Sequence, residues 1–132
     1  MTDVSAAFLS EQEVMIRNSA RTVAAEIVAP TAAERDRTHA WPADELGALA
    51  KLGFLGMLAP ESHGGSGATF VEYCLAVEEL AAADSGFATI VHVHNTITGL
   101  IAEQGTEEQK WRFLPRMVTG ETIGAGLFSE PQ

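Results

Sequence analysis

The sequence holds one cysteine, Cys74, among 132 residues. That excludes an internal disulfide and any Cys-rich zinc site. Basic residues are scarce, eight Lys and Arg against 18 Asp and Glu, for a formal net charge of −10. They are also scattered, at Arg17, Arg21, Arg35, Arg37, Lys51, Lys110, Arg112 and Arg116. Nucleic-acid binding draws on clustered cations against phosphate, so this chain is not expected to bind DNA or RNA. No run approaches the ~18–20 apolar residues of a membrane span. Met1 to Ser10 has no basic n-region and no long apolar stretch, so no secretory signal is expected and the chain reads as soluble and cytoplasmic. No H-E-x-x-H or similar metal-binding spacing is present.

What is there is ordinary globular composition, 46% hydrophobic and 20% charged. A chain of this length can bury roughly 68% of its unfolded surface, enough for a core without metal or disulfides. Three capping boxes mark helix starts: Ser10-Glu11-Gln12-Glu13, Thr69-Phe70-Val71-Glu72 and Thr106-Glu107-Glu108-Gln109. After the first, Ile16, Ala20, Val23 and Ile27 share one face of a helix from about Glu11 to Val28, expected to break near Pro30. A further turn or two is expected over 32–37. Trp41-Pro42 starts the next helix, with Leu46, Leu49 and Leu52 on one side and Gly53 as a left-handed stop. Phe54 to Leu58 is expected to pack under a loop. The second box opens a helix from Phe70 to Ala83, with Val71, Leu75, Val77 and Leu80 inside and Tyr73, Glu78 and Glu79 facing water. Asp84 or Ser85 caps a helix over 86–103 that is apolar nearly all round and is expected at the centre of the core. The third opens a helix to about Phe113, interrupted at Pro115 and ending at Gly120. Thr122 to Ser129 is β-prone. The sum is an all-α fold, a bundle of five to six helices ending in one orphan β-strand.

The reactive side chains do not assemble into a catalytic group by spacing. His92 and His94 lie roughly 200° apart around a helix and cannot chelate one metal, so each is expected to be a buried or boundary imidazole with a hydrogen-bond partner. His39 and His63 fall in loops and are expected at the surface. Cys74 has no basic sequence neighbour and reads as an inert thiol. Glu78-Glu79 and Glu107-Glu108 diverge by about 100° on their helices, which suits solvated faces rather than an acid/base pair. Pro60 to Gly67 lacks the lysine and the preceding strand of a phosphate-binding loop and reads as a glycine turn.

In order along the chain, several segments resemble one family: Leu9-Ser10-Glu11-Gln12, Ala29-Pro30, Arg35-Asp36-Arg37, Leu52-Gly53-Phe54-Leu55-Gly56, Pro60-Glu61 with Gly64-Gly65-Ser66-Gly67, Glu78-Glu79-Leu80-Ala81, Val93-His94-Asn95, Gly105 to Lys110, and Gly120-Glu121 with Ser129-Glu130-Pro131. The ordered set is similar to the start of the FAD-dependent acyl-CoA dehydrogenases. The resemblance implies an N-terminal helical domain over 1–120 and the truncated start of a middle β-domain over 121–132. It implies α,β-dehydrogenation of an acyl-CoA thioester: a carboxylate removes the α-proton, and the flavin takes the β-hydrogen as hydride. Electrons then pass to an electron-transfer flavoprotein, and the full-length protein is expected to be a homotetramer. The family's glutamate base has no counterpart here, so no catalytic residue is assigned and the isolated chain is expected to be inactive and to hold FAD weakly or not at all.

Carried over by position, Gly126, Leu127, Phe128 and Ser129 match the strand along the flavin. Ser129 matches the hydroxyl that bonds the isoalloxazine edge, and Gly126 stands where many members carry an aromatic residue. Ala88, Thr89, His92 and Val93 match the helix that walls the acyl pocket, where His92 is unusual. Two other readings stay open on the residues alone: a flavin monooxygenase built on the same scaffold, and a non-catalytic helical interaction module.

Overall fold

All three capping boxes form, and they set the frame of the domain. In each, the Ser or Thr hydroxyl accepts from the amide three residues on, and that residue's side chain accepts from the cap amide. The computed structural model describes residues 8–127, 129 and 131. Among the described residues six α-helices follow one another: α1 (Glu11–Val23), α2 (Ala29–Thr38), α3 (Ala43–Lys51), α4 (Phe70–Ala83), α5 (Ser85–Gln104) and α6 (Glu107–Val118). α4 packs against α1 on one side and α5 on the other, and α6 lies against α5. The core gathers Ala20, Val28, Leu49, Leu55, Leu80 and Val91, all buried. Among the described residues no helix is long and apolar enough to cross a membrane.

The expected break near Pro30 does not occur. A π-helical turn, Ala24–Val28, joins α1 to α2, and the Ala29 amide bonds Ala24 O. Proline has no N–H and crowds the carbonyl four residues back. The wider turn shifts the ladder by one residue just ahead of Pro30, so the helix runs on to Thr38. Pro115 likewise sits inside α6 without ending it, because Leu114 and Met117 are buried on either side and hold the helix down. Gly120, at φ 74°, stops it.

Several burial expectations are overturned. Val71 and Leu52 are exposed, whereas Tyr73 is only 2% exposed. The inner face of α4 is set by Tyr73, Ala76 and Leu80, rotated from the apolar positions that suggest themselves in sequence. His63 is buried, because the Trp111 ring lies over it at 4.4 Å. α5 is buried on one face only (Phe87, Ala88, Val91, His94, Asn95, Thr98), while Thr89, His92, Thr96, Leu100 and Glu103 form an exposed stripe at three- and four-residue spacing. The orphan strand is also corrected. Among the described residues none is in a strand, and 123–127 is irregular chain with no neighbouring strand to pair with.

The glycine turn is closed on itself. The amides of Gly65, Ser66, Gly67 and Ala68 donate to the carbonyls of Pro60, Gly56, Ala59 and Met57. A Cβ at Gly65 would lie 2.1 Å from Ala59 O, so only glycine fits there. With those amides spent inside the loop, none of the four is left to cradle an anion.

Candidate functional site

α5 organises both faces of the site. Asp84 starts it: its side chain accepts from the Phe87 amide at 3.0 Å. It does so while paired with Arg35 at 2.7 Å. The same guanidinium bonds Glu45 at 2.8 Å and Val28 O at 2.8 Å, and lies 5.3 Å over the Phe87 ring. It also bonds the Thr31 hydroxyl. Burial alone would raise the carboxyls of Asp84 and Glu45. Hydrogen bonds from the Phe87 amide to Asp84 and from Thr31 to Glu45, together with Arg35, outweigh it and hold both below the usual carboxylate range.

On its exposed side α5 borders a cleft of about 690 Å³ shared with α4 and the loop ahead of it. Phe70, Ile97 and Leu100 make it apolar; Tyr73 and His92 bring polar atoms to it. The Tyr73 phenol oxygen lies 2.6 Å from His92 Nδ1 and 3.3 Å from His92 O, and the two rings stack at 6.1 Å. Burial pushes the Tyr73 phenol above its ordinary value, so it stays protonated.

On the buried side, two neighbouring residues hold loop backbone. His94 Nε2–H donates to Leu55 O at 2.9 Å, and His94 Nδ1 accepts from the Gly124 amide at 2.9 Å. The bond accepted at Nδ1 requires the neutral ring. Asn95 accepts from the Met57 amide at 3.0 Å and donates to Phe54 O at 2.9 Å. Gly124 comes so close that a Cβ would sit 2.8 Å from Met117 Cε and 3.2 Å from Ile97 Cβ. Ile97 thus touches both the cleft and the segment that leaves α6.

His94 makes stability depend on pH. Burial lowers its pKa from 6.5 against the opposing pull of its carbonyl contacts. The unfolded chain therefore takes up the proton first as pH falls, and the His94 contribution is complete above about 6.5 and lost through the lower folded value. We expect the urea midpoint to fall as pH drops below 6.5. His94→Gln should flatten this slope down to about 4.5, where the losses from Glu45 and then Asp84 begin. A wild-type midpoint that is flat between those values would show that His94 titrates normally.

Of the sequence-matched pocket residues, His92 lines the cleft. Thr89 is on the same exposed stripe, with its hydroxyl turned back to Ser85 O at 2.8 Å. Val93 is half-buried, and Ala88 is packed in the core at 2% exposure. Of the cofactor-matched residues, Gly126 is half-buried, Leu127 is 97% exposed and Ser129 is exposed; Phe128 lies outside the described residues. Tyr73, Phe70, Thr96 and Ile97 were not singled out by sequence. Thr96 carried a signal, four residues after His92 on the same helix, whereas Tyr73 looked like a surface residue. Among the described residues no group of three or more His, Cys, Asp and Glu could hold a metal ion.

A flavin edge needs donors on open backbone. The residues present suit one: among the described residues 125–127 pairs with no strand, and Ser129 is exposed.

The family model described as "Acyl-CoA dehydrogenase, N-terminal domain" matches residues 10–121. The chain therefore belongs to the acyl-CoA dehydrogenase family, in which it corresponds to the N-terminal helical domain. It is 32% identical over 124 residues to an acyl-CoA dehydrogenase of Bacillus subtilis, covering 93% of this chain and 33% of that one. It is 35% identical over 123 residues to the mitochondrial isobutyryl-CoA dehydrogenase of Dictyostelium discoideum, covering 93% and 30%. The solved glutaryl-CoA dehydrogenase of Mycobacterium smegmatis superposes with a TM-score of 0.82 at 35% identity, over 89% of this chain and 30% of that one. The chain thus spans about a third of the length of these relatives.

Proposed function

We propose that residues 1–120 are the helical domain, and 121–132 the start of the middle domain, of an FAD-dependent enzyme that α,β-dehydrogenates an acyl-CoA thioester. The observation that carries this is the meeting at Ile97 of an apolar cleft and the segment leading to Gly126–Ser129. In this reading the α5 stripe of Thr89 and His92, with Val93 beside it, walls the acyl chain, and Ala88 anchors that helix in the core. Gly126, Leu127, Phe128 and Ser129 would hold the isoalloxazine edge, with the Ser129 hydroxyl satisfying a polar ring atom where water is excluded. FAD, when bound, supplies the two-electron acceptor. This chain's own part is to bind the acyl group, keep water from it and orient it; we assign the α-proton to no residue here. The electron acceptor is an electron-transfer flavoprotein, and the full-length enzyme is a homotetramer.

The test is anaerobic titration of the full-length protein with acyl-CoA thioesters. Bleaching of bound flavin is expected. Flavin that stays oxidised with every ester, yet supports oxygen-dependent turnover once reduced, would favour a monooxygenase. The isolated 132-residue chain is expected to emerge from gel filtration without stoichiometric flavin.

A further inference from the structure

We propose that the cleft selects an acyl chain bearing a hydroxyl group beyond Cβ, held by His92 Nε2. This rests on the acyl-CoA reading above and narrows it to a substrate class. Three features of the cleft lead to it.

The first is that His92 is a positioned donor or acceptor. Tyr73 is almost fully buried, and its phenol oxygen fixes Nδ1 at 2.6 Å, with the rings stacked at an interplanar angle of 20°. If the phenol donates to Nδ1, Nε2 carries the proton. If Nδ1–H donates to the phenol, whose own O–H donates a hydrogen bond to His92 O, Nε2 is an acceptor. In both cases Nε2 has no hydrogen-bond partner among the described residues. A hydroxyl both donates and accepts, so it pairs with either form.

The second is that the other hydroxyl on this stretch is already engaged. Thr96 donates to His92 O at 2.9 Å within the helix. The remaining wall, Phe70, Ile97 and Leu100, is hydrocarbon. A plain acyl chain filling the cleft would strip water from Nε2 and give nothing back, and a buried polar atom left unpaired is costly. A chain hydroxyl at that point restores the bond.

The third is Glu103, which borders the cleft eleven residues, or roughly 16 Å, further along α5. Its carboxylate opposes a chain that ends in a second carboxylate. The polar group that suits the cleft is therefore neutral. Because Cα and Cβ lose hydrogen in the reaction, the hydroxyl stands beyond them and passes through unchanged.

The experiment uses the full-length holoenzyme and compares kcat/KM for straight-chain acyl-CoA esters with isosteres hydroxylated at successive positions beyond Cβ. One hydroxylated ester is expected to exceed its hydrocarbon counterpart by about tenfold or more. His92→Leu should reverse that preference. Tyr73→Phe, which frees the ring, should shrink it severalfold. The ratio between two esters is a readout that a general loss of folding does not move. A wild type that favours the hydrocarbon chain at every position, or a His92→Leu enzyme with an unchanged ratio, overturns the proposal while leaving the acyl-CoA reading intact. Failure of all esters to reduce the flavin would instead remove that reading, and this proposal with it.

Discussion

Replacing Arg35 by alanine should destabilise the protein by about 3–5 kcal/mol, the range for removing one member of a buried ion pair. The Arg35 side chain is 10% exposed, and its two carboxylate partners, Glu45 and Asp84, are 14% and 16% exposed. Without the guanidinium, two carboxylates face each other with little water, and Val28 O loses its donor. Arg35→Lys should recover only part of the loss, because an ammonium lacks the planar fork that reaches four acceptors at once. Arg37 is the control. Its pair with Glu34 is 70% and 63% exposed, so Arg37→Ala should cost about 0–1 kcal/mol. Urea midpoints decide the matter: an Arg35→Ala loss no larger than that of Arg37→Ala would show the network to be no stronger than a surface pair.

The second large effect is expected at Asn95. Asn95→Ala leaves the Met57 amide and Phe54 O without their side-chain partner in the core, at about 1–3 kcal/mol for each group. Asn95→Asp is no remedy, since it keeps an acceptor for Met57 but points a second acceptor at Phe54 O. Both variants should speed hydrogen exchange at the Met57 amide while leaving the Val23 amide, in α1, slowed to the same degree as before once global stability is allowed for. Unchanged exchange at Met57 would mean that the loop is held by its own turns.

Much of this was legible in sequence because it is local. A capping box joins residues three apart, so Ser10, Thr69 and Thr106 announce their helices without tertiary context. Gly53 and Gly120 mark stops for the same reason. The apolar face of α1 was plain because one helix, α4, covers it. What failed were positions settled by a distant partner. Arg35 and Asp84 are 49 residues apart, and nothing near either predicts the other. Tyr73 is polar at one end only, and inside the domain its hydroxyl bonds His92, nineteen residues on. His63 is covered by a tryptophan from α6. Pro30 misled because the sequence does not advertise a π turn. At the candidate site, the family resemblance pointed to α5, but the rotation of that helix, which puts His92 outward and Ala88 inward, belongs to the packing.

The junction of α4 and α5 has no loop: Asp84 ends one helix and starts the next. It works as a mitred corner, and Arg35 is the bracket across it. α5 is about 30 Å long, so a change of about 5° at the corner would swing its far end by roughly 2–3 Å. The cleft lies toward that far end. Fine alignment of the α5 side of the cleft is therefore set at the opposite end of the domain, by a guanidinium that does not line the cleft, and mutations at the bracket should surface first as errors of aim there.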